Sequence, residues 1–403
     1  MDNITHSLVG VALADLAMGR RASKAQRPLL VGAGIVGANL PDIDIAFSWI
    51  TPAPLGYLLH HRGHTHTVAG LAVLAVAMYA VYWYVPAVRK MPLPARLRVW
   101  LLIVIALVSH LALDSLNSYG VHPFYPFDNT WYFGDAVFIL EPWLWIILGV
   151  AVAWNGRTRT ARLVAMVPMA LILATAAATG VVSLAAVAAL LILGAAFAVI
   201  ALRLSPYVRT AAALTVCAAI VGGFLATSRI ARGAAVDALG AQLRGDVLDI
   251  VLTPNASSLL CWEMIAIELR EADGEYVLWR GTLSLMPAMK VPTACASHQL
   301  FIPGPLPPGG MGPRAARIIG NGRLALRDEI HQPLQRLRTL AERDCWVRAW
   351  LRFGRAPVIE EDSILDLRFS DRPGREFTIM RVRHEGCPPH VPNWGMPRAD
   401  LLR

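Results

Sequence analysis

Between residues 1 and 228 the chain alternates long, nearly uncharged apolar runs with short loops, and beyond residue 229 the runs shorten and alternate. The long runs are 28–47, 67–85, 99–117, 136–154, 163–180, 183–202 and 210–228. At about 18 to 20 residues each, they match a hydrocarbon core of about 30 Å. A shorter run, 4–18, carries His6 and Asp15 and counts as a partial span. The pattern predicts a polytopic α-helical membrane protein of about seven to eight spans over residues 1–228. Past residue 229, the alternation in 247–252, 259–269, 276–285, 364–369 and 377–382 predicts strands. Residues 327–343 read as one helix, and a Pro/Gly-rich loop, 301–313, interrupts the strands. Residues 229–403 are therefore expected to form a β-rich extramembrane domain.

Composition agrees. Apolar residues make up 56% of the chain and charged residues only 16%, more apolar than a soluble core requires. No basic stretch precedes the first apolar run, so the N-terminus is expected to stay in the mature protein. Arg20, Arg21, Lys24 and Arg27, then Arg89, Lys90, Arg96 and Arg98, then Arg157, Arg159 and Arg162, then Arg203 and Arg209 fill alternate loops. The intervening loops hold Arg62 alone or no basic residue. By the positive-inside rule the basic loops are cytoplasmic, which puts residues 229–403 outside. Arg229 and Arg232 run against this assignment. The net charge of +9 reads as a topological signal, and no nucleic-acid partner is expected. Cys261, Cys295, Cys345 and Cys387 all fall in the C-terminal part, compatible with two disulfides or with four buried thiols.

The chemistry lies in His60-His61-Arg62-Gly63-His64-Thr65-His66, four imidazoles in seven residues. Under the predicted topology His6, Asp42, Asp44, this cluster, His110 and Asp114 all reach the outer membrane level. His110 and Asp114, at i and i+4, share one helix face. Ionisable groups in spans are costly and usually functional. Asp135 and Glu141 form a weaker pair of the same kind. The reading is a divalent-metal site of His6, Asp42, His61, His66, His110 and Asp114. Imidazole and carboxylate without cysteine suit zinc, with manganese or iron as alternatives. Asp44 is read as ligand or general base, and Arg62 as a clamp on an anionic group of the substrate. His-Glu-x-x-His, Gly-x-Ser-x-Gly and Walker A motifs are all missing.

Thr5-His6, Leu40-Pro41-Asp42-Ile43-Asp44, His61-Arg62-Gly63-His64-Thr65-His66, His110-x-x-x-Asp114, Ser118-Tyr119-Gly120-Val121 and Glu141-Pro142-Trp143 together resemble the YdjM-like family of LexA-binding, inner-membrane-associated metal-dependent hydrolases. The resemblance covers roughly residues 1–150. It implies a bacterial inner-membrane protein with a hydrolytic metal centre, and it ranks His61 and His66 above His60 and His64. Glu141 stands where the family pattern carries an aspartate. The order of His6, Asp42, His60 or His61 and His110-x-x-x-Asp114 is more faintly similar to the zinc-dependent phospholipase C and single-strand nuclease family, in which His122 would stand for a further ligand. A second His-x-x-x-Asp/Glu pair of that family is missing here.

These readings lead to a membrane-bound metal-dependent hydrolase with its site and C-terminal domain on the periplasmic side. The expected substrate is a phosphoester or other ester of a lipid or envelope component. The alternative is a non-catalytic, metal-stabilised scaffold or transporter-like protein whose outer domain binds partners. LexA binding would need a cytoplasmic face, which this topology offers only through short basic loops.

Overall fold

Two short-residue faces bring the first helices together. A Cβ on Gly10 of α1 (Asn3–Met18) would lie 2.4 Å from the Gly34 carbonyl oxygen of α2 (Arg27–Asn39), and one on Gly34 would lie 2.1 Å from that of Gly10. Only glycine permits this backbone approach. It sets the start of α1 beside the end of α2, where a run of 3₁₀ turns, Leu40–Ile50, carries the two aspartates. The computed structural model describes residues 1–19, 26–156, 159–178, 182–295, 316–369, 377–382 and 386–403. Arg20, Arg21, Lys24, Arg157 and the expected loop 301–313 lie outside the described residues.

The helices continue with α3 (Leu55–His60), α4 (Val68–Trp83), α5 (Pro86–Arg89), α6 (Leu93–Asp114), α7 (Pro142–Asn155), α8 (Arg159–Ala178), α9 (Leu184–Leu202) and α10 (Pro206–Leu239). Seven to eight spans are not supported. Among the described residues, four segments are long and apolar enough to cross a membrane: Arg27–Ile50, α6, α9 and α10. Leu55–His66 and α4, bent by 68° at their junction, make a fifth when counted as one broken span. At 1.5 Å per residue, α1 and α7 reach only about 24 and 21 Å, short of the hydrocarbon thickness. Apolar content alone could not reveal this, because Pro142 starts α7 six residues into the run 136–154. Helix α10 errs in the other direction. Its 34 residues extend about 51 Å, so it leaves the apolar layer and carries the chain to the sheet.

Strands β1 (Asp246–Pro254), β2 (Cys261–Arg270), β3 (Glu275–Ser284), β4 (Arg317–Ile319) and β5 (Leu324–Pro333) form an antiparallel sheet in the order β1-β2-β3-β5-β4. Both faces are covered. Ile250, Leu252, Met264 and Ala266 join Ala231, Ala234, Ala235 and Ala238 of α10 in one core. Their alternate neighbours, Val251, Ile265 and Ile267, join Leu55, Leu58 and Leu59 of α3 and residues of α11 (Leu334–Arg343) and α12 (Cys345–Trp350) in another. A small sheet of β6 (Pro357–Glu360), β7 (Ser363–Asp366) and β8 (Met380–Arg381) completes the C-terminal part. The helix expected over 327–343 is half strand. Residues up to Pro333 pair with β3, with Arg280 Nε donating to Asp328 at 2.7 Å, and the helix begins only at Leu334. Cys261 pairs with Cys295 and Cys345 with Cys387, which resolves the two alternatives left open by cysteine count.

Candidate metal centre

Asp44 is the hub. Its Oδ2 accepts from Gly63 N at 3.1 Å, Thr65 Oγ1 at 2.8 Å and His66 Nδ1 at 2.9 Å, and its Oδ1 accepts from His61 Nδ1 at 3.0 Å. The polar loop after α3 is thereby wrapped around one carboxylate. Arg62, with φ of 53°, turns the chain between the two imidazoles so that both present Nδ1 to the same aspartate.

The outer hydrogen bonds fix what the inner nitrogens can do. His66 gives Nδ1 to Asp44, and His110 gives Nδ1 to the Ala38 carbonyl at 2.7 Å. Each neutral ring therefore keeps its lone pair on Nε2, the arrangement found behind metal-binding histidines. Those two Nε2 atoms face each other at 3.1 Å. Around them stand Asp42 Oδ1, at 3.5 Å from His66 and 3.4 Å from His110, and Asp114 Oδ2, at 3.4 and 3.6 Å. A tetrahedral ion with ligands at about 2.0 to 2.1 Å spaces them about 3.3 to 3.4 Å apart. The separations between these imidazole and carboxylate donors, 3.1 to 3.6 Å, bracket that figure.

A second group shares Asp42. One donor each from Asp42, Asp44 and His61 lie within 4.8 Å of one another. It is the more open of the two at His61, 12% exposed, and at the shared Asp42, 14% exposed, whereas Asp44 is 4% exposed and His66, His110 and Asp114 are 0 to 2% exposed. Asp42 is placed to bridge the two groups.

His6 does not join either convergent set. Its ring stacks on His110 with centroids 3.9 Å apart, and its Nε2 lies 3.3 Å from Asp114 Oδ1. Asp114 also receives the Met1 α-amine and Arg62 Nε, the latter at 2.9 Å. Arg62 was expected to reach a substrate, but it is buried and committed to the protein. Its Nη1 donates to the carbonyl of Asp114 at 3.0 Å and to Asn117 Oδ1 at 3.1 Å, and its guanidinium lies 4.6 Å from the Tyr119 ring centroid. Burial holds the Tyr119 phenol well above its usual pKa, so it remains a neutral platform.

The remaining histidines point elsewhere. His60 Nε2 bonds Thr51 Oγ1 at 2.9 Å, and His64 packs against Trp394 at 4.8 Å. His122 sits between Trp131 and Trp394 with neither ring nitrogen hydrogen-bonded, and burial pushes its pKa down to about 3. Asp135 and Glu141 stand apart from the centre as well. Asp135 pairs with Arg355, and Glu141 accepts from the backbone of Trp143 and Ser257. Asn117, Tyr119 and the Ala38 carbonyl are the parts that sequence reasoning missed. The Ser118-Tyr119-Gly120-Val121 motif marked their neighbourhood without revealing their roles.

Residues 1–183 match the profile of the YdjM inner membrane protein family. The chain is 27% identical over 164 residues to YfhP of Bacillus subtilis (strain 168), described as uncharacterized, covering 39% of this chain and 47% of YfhP. It is 32% identical over 117 residues to the inner membrane protein YbcI of Escherichia coli (strain K12), covering 29% of this chain and 61% of YbcI. The chain thus spans about half to three fifths of the length of these relatives. No solved structure matches.

Proposed function

From the match of residues 1–183 to the YdjM inner membrane protein family, we propose that this chain is a membrane-bound metal-dependent hydrolase acting on a phosphoester, that of a lipid or envelope component. The observation that carries the reading is the pair of donor groups sharing Asp42, one closed and one open. Four protein donors leave an ion no vacant position, whereas three leave room for a reactant. Nitrogen and carboxylate donors at this spacing suit zinc, with manganese or iron as substitutes. A divalent ion held by Asp42, Asp44 and His61 supplies Lewis acidity toward a phosphoryl oxygen and lowers the pKa of water.

The protein's own part is positioning. Asp44 accepts four hydrogen bonds, two of them from the Nδ1 atoms of His61 and His66, which supports a service in orienting both rings beside its place in the open donor group. Arg62 offsets the charge of Asp114 and holds it toward the two imidazoles. We place the centre and the C-terminal part on the periplasmic side of a bacterial inner membrane. The two disulfides support this side, because such bonds persist in oxidising compartments.

The closed group alone favours a second reading, a metal-stabilised scaffold, since structural sites use four protein ligands. The two readings separate in an assay of p-nitrophenyl phosphate and bis(p-nitrophenyl) phosphate with purified protein, before and after chelation. Hydrolysis that chelation removes and zinc or manganese restores supports the hydrolase. Metal-bound protein without turnover on these or on phospholipid supports the scaffold.

A further inference from the structure

Asp42 and Asp44 turn inward to the centre, and the residues interleaved with and following them turn outward. Ile43, Ile45, Phe47 and Trp49 are 48%, 47%, 52% and 81% exposed. Four large apolar side chains in seven residues, beside a cluster of charged groups, form a face that water disfavours. This face is the last part of Arg27–Ile50, a segment apolar and long enough to cross the membrane, on which Val36 is also exposed. It is therefore continuous with the lipid-facing surface, and tryptophan at its far end suits the interfacial layer.

The aqueous side of the same loop is covered. Thr51 Oγ1 donates to the Pro389 carbonyl at 3.1 Å, Tyr57 meets Phe377 edge-on at 5.7 Å, and Trp394 lies on His64. The C-terminal part thus lies over α3 and the histidine loop. What stays open is the edge at Asp42 and His61, flanked by Ile43 and by Tyr57, whose ring is 5.0 Å from that of His61.

Granted the hydrolase reading, we infer that the substrate is an amphiphilic phosphomonoester lipid that enters from the bilayer, its hydrocarbon chain lying on Ile43, Ile45, Phe47 and Trp49 while its phosphate meets the centre at Asp42 and His61. The apolar face supplies binding energy in proportion to the chain area it covers, and the enclosed charges select the head group.

The test places the full chain, purified without chelator, in lipid nanodiscs. Two photoreactive probes carry the same diazirine acyl chain, one on phosphatidic acid and one on phosphatidylcholine. After irradiation, labelled peptides are mapped by mass spectrometry. The inference expects phosphatidic acid to label residues 43–50 several-fold more than phosphatidylcholine does. The excess should disappear in His61→Ala and persist in millimolar inorganic phosphate. Equal labelling by the two probes reduces the face to ordinary lipid contact and overturns the inference. So does an excess that survives His61→Ala, and loss of the excess to inorganic phosphate assigns the site to a soluble ligand instead. The comparison of probes on the wild type stands even if the variant fails to fold. Release of inorganic phosphate is scored separately: labelling without release refutes hydrolysis and leaves the lipid site, and release without labelling at 43–50 refutes the entry face and leaves the hydrolase.

Discussion

His66 and His110 face each other Nε2 to Nε2 across 3.1 Å, and each is held there by a bond from Nδ1 on the far side of its ring. Two acceptors at that distance repel unless a proton or a cation lies between them. Asp42 and Asp114 complete the ring of donors, and a divalent ion satisfies all four where one proton satisfies two.

Asp44→Asn should weaken metal retention without removing a member of the closed group. The amide cannot accept from His61 and His66 as the carboxylate does, so both rings lose their fixed tautomer. Loss of such an outer partner typically lowers metal affinity about 10- to 100-fold. Competition with a chromogenic chelator measures it, and an unchanged affinity would remove Asp44 from its positioning role.

Arg62→Lys separates a clamp on substrate from a support for Asp114. Lysine keeps the charge but not the fork that reaches both Asp114 Oδ2 and the carbonyl and amide beyond it. The expected outcome is lower metal content and a lower unfolding temperature. A variant with full metal and a raised KM alone would restore Arg62 to the substrate.

Glu141 gives the protein a pH-dependent stability. Burial raises its pKa from 4.5 to about 8, so the folded state keeps a proton that the unfolded state gives up. Its contribution is fully present below pH 4.5 and is lost as pH rises toward 8, at most roughly 5 kcal/mol across that window. Glu141→Gln should flatten the fall in unfolding temperature between pH 5 and 8 in detergent. An unaltered slope would show that Glu141 is ionised in the fold.

The helical and sheet parts are joined through charge. Arg355 bonds Asp135 from the loop before α7 with both Nη atoms at 2.8 Å and Asp249 of β1 with Nε at 2.7 Å. Removing one member of a buried pair typically costs about 3 to 5 kcal/mol, because the other charge is left uncompensated. Arg355→Met should lower the unfolding temperature strongly, and adding Asp135→Asn should recover part of the loss. No recovery in the double variant would contradict the pairing.

Much of the centre was legible because its residues are confined to a few short motifs that polar side chains seldom form in apolar surroundings. The four histidines of 60–66 do not differ in residue type, however, and only the family resemblance ranks His61 and His66 above the other two. Only the way α3 ends decides that His61 and His66 face Asp44 while His60 faces Thr51. The span count failed because hydropathy registers burial in protein and in lipid alike, and α1 and α7 are apolar through packing in the core. The helix expected from 327 failed because pairing with β3 outweighed a polar run of good helix formers, and Pro333 marked the true boundary. The link from Arg355 to Asp135 spans 220 residues, and no local pattern announces it.

Metal content per chain, by inductively coupled plasma mass spectrometry on protein purified in detergent without chelator, tests the centre most directly. The wild type is predicted to hold about two divalent ions, one for each donor group. His61→Ala should keep about one, in the closed group, and His110→Ala should lose that one. A wild type without bound metal, or a content that neither substitution changes, would contradict the account.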